Sequence, residues 1–432
     1  MADKILQCGY MSGDTYAAAA LLAADTTVRV ILVKDTRATG QYADKSGLIQ
    51  KIYGEGGVMG RVHLLDISSG DLRVNDLWKL YKDAYATRMP APRRGPTTAS
   101  KLYYDQMPVG WPRSITAVTG LLASKWKADP DGTSAAIATA WKVGRLPTEQ
   151  KFALYGYMGR KFQKNNFDIK PNIVVLWSRQ SGKRGGAHPE LDSSYEGIRQ
   201  LTRALLKCGK PVTVLLAGDE RNDKLNAFAN LPGMDNVISV SDMWEDPVWK
   251  EQFGDAKFLA QFAFYKYLAE EYNVIHIGMR SGMLESMALL GMKTFYLEGA
   301  GSGSGSRMTG FSNAGITYSR IVIGSAPGIT GRISEQRKLY TTDVLSERID
   351  ERAAVHWNRD GFWDLFGDSD HSRWAAISYA KADLLRQSRP YSSYRGTDQW
   401  SALEDDMARM RGFTSSDMTN IFDAVGPLLK DA

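Results

Sequence analysis

Cysteine is nearly absent: Cys8 and Cys208 are the only two in 432 residues. So few thiols, so far apart, exclude a disulfide framework or a cysteine-rich metal site, and they fit a reducing compartment. Histidine is almost as scarce, with five dispersed residues and no His-x-x-x-His pair. Asp-x-Asp occurs only at Asp129 and Asp368, both in turn-rich polar surroundings, so no bound metal is expected. Long apolar runs are also missing. The most apolar short stretch, AAAALLAA, is far below the roughly 18 residues that span a bilayer, and MADKILQCGYMSGD lacks a basic segment followed by a long apolar run. A cytoplasmic protein without a membrane partner is the expectation. Charge of one sign is not in large excess: 54 basic against 48 acidic residues give +6, scattered rather than gathered, which favours an anionic ligand only weakly. Nor is there a repeat with a period of roughly 20 to 50 residues.

What is present is the composition of an ordinary globular chain, 43% hydrophobic and 24% charged, long enough for two or three domains. Residues alternate between strand-like and helix-like stretches. ILQCGY, VRVILVKD and RVHLLDIS read as strands, and TYAAAALLAA between the first two reads as a helix, a βαβ-type Rossmann-like beginning. From about Asn75 to Phe167 the pattern is helical, with no strongly β-like run. A second alternating series starts at Pro171, with NIVVLWS, PVTVLLAGD, NVISVSD, NVIHIG and TFYLE as strands. After Ser325 the strand signal fades and charged helical stretches follow. The expected division is an N-terminal Rossmann-like domain over 1–168, a second over 169–330, and a helical segment over 331–432 packing across both. Two such domains facing a cleft would seat a nucleotide ligand between them.

The stretch NVIHIGMRSGMLESMALLGMKTFYLE, Asn273 to Glu298, concentrates the chemistry. A strand runs into a turn holding Arg280, Ser281 and Gly282, and the turn opens a helix. A helix N-terminus exposes unpaired N–H groups and the positive end of its dipole, a natural seat for phosphate. Ser281 can donate a hydroxyl, Arg280 can grip phosphate with two bonds, and Glu285 can accept hydrogen bonds from a ribose. The competing reading makes Ser281 a helix cap, Glu285 a partner of the dipole and Arg280 a solvated side chain.

HIGMRSGMLES resembles the donor-binding signature of two-domain (GT-B) glycosyltransferases, especially the plant-type family that uses UDP-sugars, in which His-x-Gly-x-Asn-Ser-x-x-Glu follows a strand and opens a helix. His276, Gly278 and Ser281 match in order and spacing; Arg280 replaces the Asn, and Glu285 lies one residue later. The resemblance implies a GT-B-like α/β fold, His276 and Ser281 on the donor diphosphate, Glu285 on the ribose, and no bound cofactor beyond the nucleotide-diphosphate sugar as co-substrate. It covers about 25 of the 432 residues.

WSRQSGKRGGAHPE, Trp177 to Glu190, gathers Arg179, Lys183 and Arg184 among glycines at the end of a strand, a loop suited to a diphosphate. It faintly resembles the strand-then-Arg motif of fucosyltransferases, which implies a diphosphate contact for Arg179. It is not a P-loop, because Arg184 follows the Gly-Lys pair. GYMSGDT places Asp14 after the first strand, a candidate base for an acceptor hydroxyl or simply a helix cap; His63 is the alternative base. EGAGSGSGSRMTGF reads as a mobile loop, a candidate lid with Arg307 as its charged contact.

These residues favour a glycosyltransferase moving a sugar from a nucleotide sugar to an unknown hydroxyl-bearing acceptor. A nucleotide-sugar epimerase is the related alternative, although it needs several carboxylates where these motifs are basic. A non-catalytic protein binding a polyanion, RNA or a protein partner is the other; nucleic acid is less favoured, because no basic cluster interleaves with aromatics as stacking modules require.

Overall fold

The computed structural model describes residues 4–39, 42–69, 73–74, 113–143, 147–162, 169–179, 193, 195–218, 223–253, 257–299, 305–323, 413 and 415–431. They form an α/β protein with two parallel sheets, consistent with two Rossmann-like domains. The first sheet contains β1 (Lys4–Cys8), β2 (Arg29–Lys34), β3 (Val62–Asp66) and the two-residue β4 (Arg113–Ser114), in the order β3-β2-β1-β4. The second contains β5 (Asn172–Ser178), β6 (Val212–Gly218), β7 (Val237–Ser239), β8 (Asn273–Met279), β9 (Lys293–Gly299) and β10 (Tyr318–Ile323), in the order β10-β9-β8-β5-β6-β7.

Continuous β-branched runs explain the central strands. NIVVLWS, VTVLLAG and NVIHIGM are buried at every position, as strands covered on both faces must be. Two strands escaped sequence reading. β4 is too short to show a pattern, and in β10 (YSRIVI) Ser319 and Arg320 interrupt the apolar run.

Helix α1 (Thr15–Ala24) is apolar on all sides and lies buried from Thr15 to Leu22, the signature of a helix inside a core. With α2 (Ser46–Glu55), α3 (Val118–Ala128), α4 (Pro130–Ala140) and α5 (Thr148–Phe162) it forms the described α-helices of the N-terminal half. Asp129 caps α4, accepting from the Gly132 N–H at 2.9 Å ahead of Pro130 in the first turn. The second half adds α6 (Tyr195–Leu206), α7 (Asp223–Ala229), α8 (Pro247–Phe253), α9 (Lys257–Glu271), α10 (Gly282–Leu289), α11 (Gly305–Asn313) and, near the C-terminus, α12 (Ser415–Val425).

One hydrophobic core reaches from Ile5, Val30 and Leu32 of the first sheet to Ile173, Val175 and Trp177 of the second. α1 packs on α10 and α3 on α11. Phe262 of α9 meets Tyr16 of α1 and Trp141, with ring centroids 6.0 and 5.0 Å apart. The other face of the second sheet has its own core, to which α6 and α12 contribute. The described part of the C-terminal segment lies against this face alone. Asn420 donates to the Val322 carbonyl, and Asn172 and Asn273, at the starts of β5 and β8, bond the backbone of Lys430 and Leu428. Among the described residues no helix is long and apolar enough to cross a membrane.

Candidate functional site

The second sheet is doubly wound. The chain builds β5, β6 and β7 outward to one side, then returns to place β8 beside β5 and builds outward to the other. The helices that follow β5 and β8 pack on opposite faces of the sheet, so the carboxyl ends of these two strands form its topological switch point, where ligands of such sheets bind. Arg179 directly follows β5 there, and Arg280–Gly282 directly follow β8.

Arg179, half-buried, directly follows β5. Its N–H donates to the Ser193 hydroxyl at 2.9 Å, Ser193 N–H donates back to the Arg179 carbonyl at 2.8 Å, and the same hydroxyl donates to the Trp177 carbonyl at 3.1 Å. Ser193 thus pins both ends of the basic loop; Lys183, within it, lies outside the described residues.

At the end of β8, Ser281 caps α10, its hydroxyl accepting from the Leu284 N–H at 3.2 Å. Ser281 and Gly282 keep partial exposure. A Cβ on Gly282 would stand 2.3 Å from the carbonyl oxygen of Gly13, so the β8–α10 turn touches the β1–α1 turn of the first sheet. Two helix N-termini therefore converge, and their positive dipole ends add. Asp14, next to Gly13, occupies the N-cap position of α1 without a side-chain capping bond.

His63 lies elsewhere. It is exposed on the edge strand β3, in register with Ile31 and through it with Leu6, two strands from β1 and roughly 10 Å to the side. The structure places Asp14 beside the contact between the two turns and leaves His63 on the sheet edge.

His276 is fully buried. Its Nδ1 accepts from the Trp177 indole N–H at 3.0 Å, which puts the ring proton on Nε2, and the Tyr265 ring stands edge-on at 5.1 Å. Gly278 serves the same packing: a Cβ there would come within 2.7 Å of the Trp177 Cβ. Burial pulls the His276 pKa down to about 3, so the ring is neutral. Trp177→Phe removes the indole donor and leaves a buried acceptor unsatisfied; an unfolding free energy lower by about 1–3 kcal/mol is expected in urea titrations.

Arg280 and Glu285 are also interior. Arg280 Nε lies 2.9 Å from Glu298 Oε1, and Arg320 Nε 3.1 Å from Glu298 Oε2, so one fully buried carboxylate is shared by two guanidinium groups. Glu285 is buried on α10, where its charge acts on the Tyr318 hydroxyl. Tyr296 and Tyr318 stack at 4.4 Å beside these groups, and burial, reinforced by Glu298, pushes the Tyr296 hydroxyl up to about 12. Glu298, Arg320 and the tyrosines escaped sequence reading. The available signal was strand alternation, which puts Tyr296 and Glu298 on one face of β9 and Tyr318 and Arg320 on one face of β10.

Arg307 falls in the first turn of α11, where a mobile loop was expected; its side chain lies outside the described residues. The glycines and serines of this stretch are poor helix formers, but α11 packs on α3 and buries Met308 and Phe311, and tertiary packing overrides weak propensity.

No family model matches the chain, and no curated protein matches it.

Proposed function

We propose that the protein is a GT-B-like glycosyltransferase, moving a sugar from a nucleotide-diphosphate donor to a hydroxyl-bearing acceptor, with the donor in the crevice outside β5 and β8. The observation carrying this reading is the meeting of the β8–α10 turn with the β1–α1 turn at the carboxyl end of a doubly wound sheet. Such an arrangement offers an anion two helix ends from one side and Arg179 from another.

In this reading the diphosphate takes the N–H groups opening α10, the Ser281 hydroxyl, Arg179 and Arg280, with Lys183 and Arg307 as further cationic contacts. Positive groups there stabilise the charge that grows on the departing diphosphate. Asp14, beside the contact between the two turns, takes the proton of the acceptor hydroxyl as its oxygen attacks the anomeric carbon. His276, fully buried, supports the crevice by holding Trp177, and buried Glu285 belongs to the wall behind it.

A thermal-shift panel of UDP, GDP, ADP, CMP and their sugar conjugates tests the reading. A nucleotide present at a hundred times its dissociation constant stabilises the folded state by about 2.7 kcal/mol. Arg179→Ala is expected to weaken its binding about tenfold, the order of one charge-assisted contact. No shift with any nucleotide, from protein that melts cooperatively, would sink the proposal in favour of a non-catalytic binding protein.

A further inference from the structure

Buried charge is the feature the crevice does not itself require. Glu298 is completely enclosed, yet it faces Arg280 at 2.9 Å and Arg320 at 3.1 Å, and the ring walls of Tyr296 and Tyr318 keep the surroundings poor in water. Desolvating Glu298 and Arg280 and partly burying Arg320 costs more than apolar packing would, so the cluster is weak evidence for stability and better evidence for a functional role. Its position indicates which role. Arg280 begins the β8–α10 turn at the crevice, while Glu298 lies behind it on the neighbouring strand β9.

We infer that Glu298 is the internal counter-anion of the crevice, a residue that holds Arg280 and Arg320 in the ligand-free protein and thereby sets how strongly they attract a diphosphate. The inference rests on the anion-binding reading of the crevice and adds to it an affinity-setting residue. A carboxylate that neutralises the cations stabilises the empty fold and opposes the incoming anion. Stability and affinity therefore trade against each other at this one position. In a medium of effective dielectric about 20, one unit charge roughly 8 Å from the anion changes its binding by tenfold or more.

The probe is inorganic pyrophosphate, the part common to all nucleoside diphosphates, titrated calorimetrically at fixed salt. Glu298→Gln keeps the shape and removes the charge; it is expected to melt at a lower temperature and to bind pyrophosphate about tenfold more tightly. Arg280→Ala in that background should abolish the gain. Arg320→Gln, which leaves the carboxylate to Arg280 alone, should weaken binding about tenfold, and it carries the test if Glu298→Gln does not fold. A purely structural Glu298 would lower the melting point without tightening binding. Unchanged or weaker binding by Glu298→Gln, with wild type binding and Arg280→Ala impaired, would overturn this inference and leave the crevice reading standing. If neither wild type nor Glu298→Gln binds pyrophosphate, both fall together.

Discussion

Acidification from about pH 6.5 toward pH 3 will cost this protein stability through a residue that never meets solvent. His276 has an ordinary pKa of 6.5 and, when buried, one of about 3. The unfolded chain therefore binds the proton first. The stability contributed by the neutral ring is complete above about 6.5 and is lost as the pH falls through about 3. Within that window the loss approaches roughly 1.4 kcal/mol per pH unit. Geometry gives the same direction, because Nδ1 accepts from the Trp177 indole N–H at 3.0 Å and a protonated ring would set donor against donor. Urea titrations at stepped pH, wild type against His276→Asn, isolate the effect from that of the carboxylates. Parallel acid limbs in the two proteins would refute it.

Gly282→Val is the second large effect. The Cβ of any side chain at Gly282 would lie 2.3 Å from the Gly13 carbonyl oxygen and 3.3 Å from the Tyr16 ring. The nearest atom is backbone, so relief requires the two halves of the molecule to separate along α1 and α10. A loss of about 3 kcal/mol is expected, the upper end of overpacking costs. The matched control is Gly120 in α3, where an added Cβ meets nothing within 4 Å. Gly120→Ala should stabilise by about 0.5–1 kcal/mol through helix entropy. Equal melting temperatures for Gly282→Val and wild type would show that the two turns do not touch in solution.

Both effects bear on how far the sequence could be read. The central strands of the second sheet were legible because a strand buried on both faces needs a predominantly apolar run, and NIVVLWS, VTVLLAG and NVIHIGM supply it. The helix start after Met279 was legible for a similar reason: Ser281 caps locally, within its own first turn. β4 was not legible, since two residues carry no period, and α11 was misread because its composition argues against the helix that packing imposes.

The sequence by itself determined the α/β class, the alternating elements of both halves, and the strand–turn–helix that carries Arg280, Ser281 and Gly282. Only the tertiary structure decided what each polar residue faces. His276 turned to Trp177, Arg280 to the Glu298 carboxylate that Arg320 also pairs with, and Gly282 to Gly13, partners from other strands or from the other half of the chain. The physical reason is range. Propensity, capping and apolar period act within a turn or a strand, whereas the burial of a charge and the direction of a side chain are set by whichever distant segment packs against it.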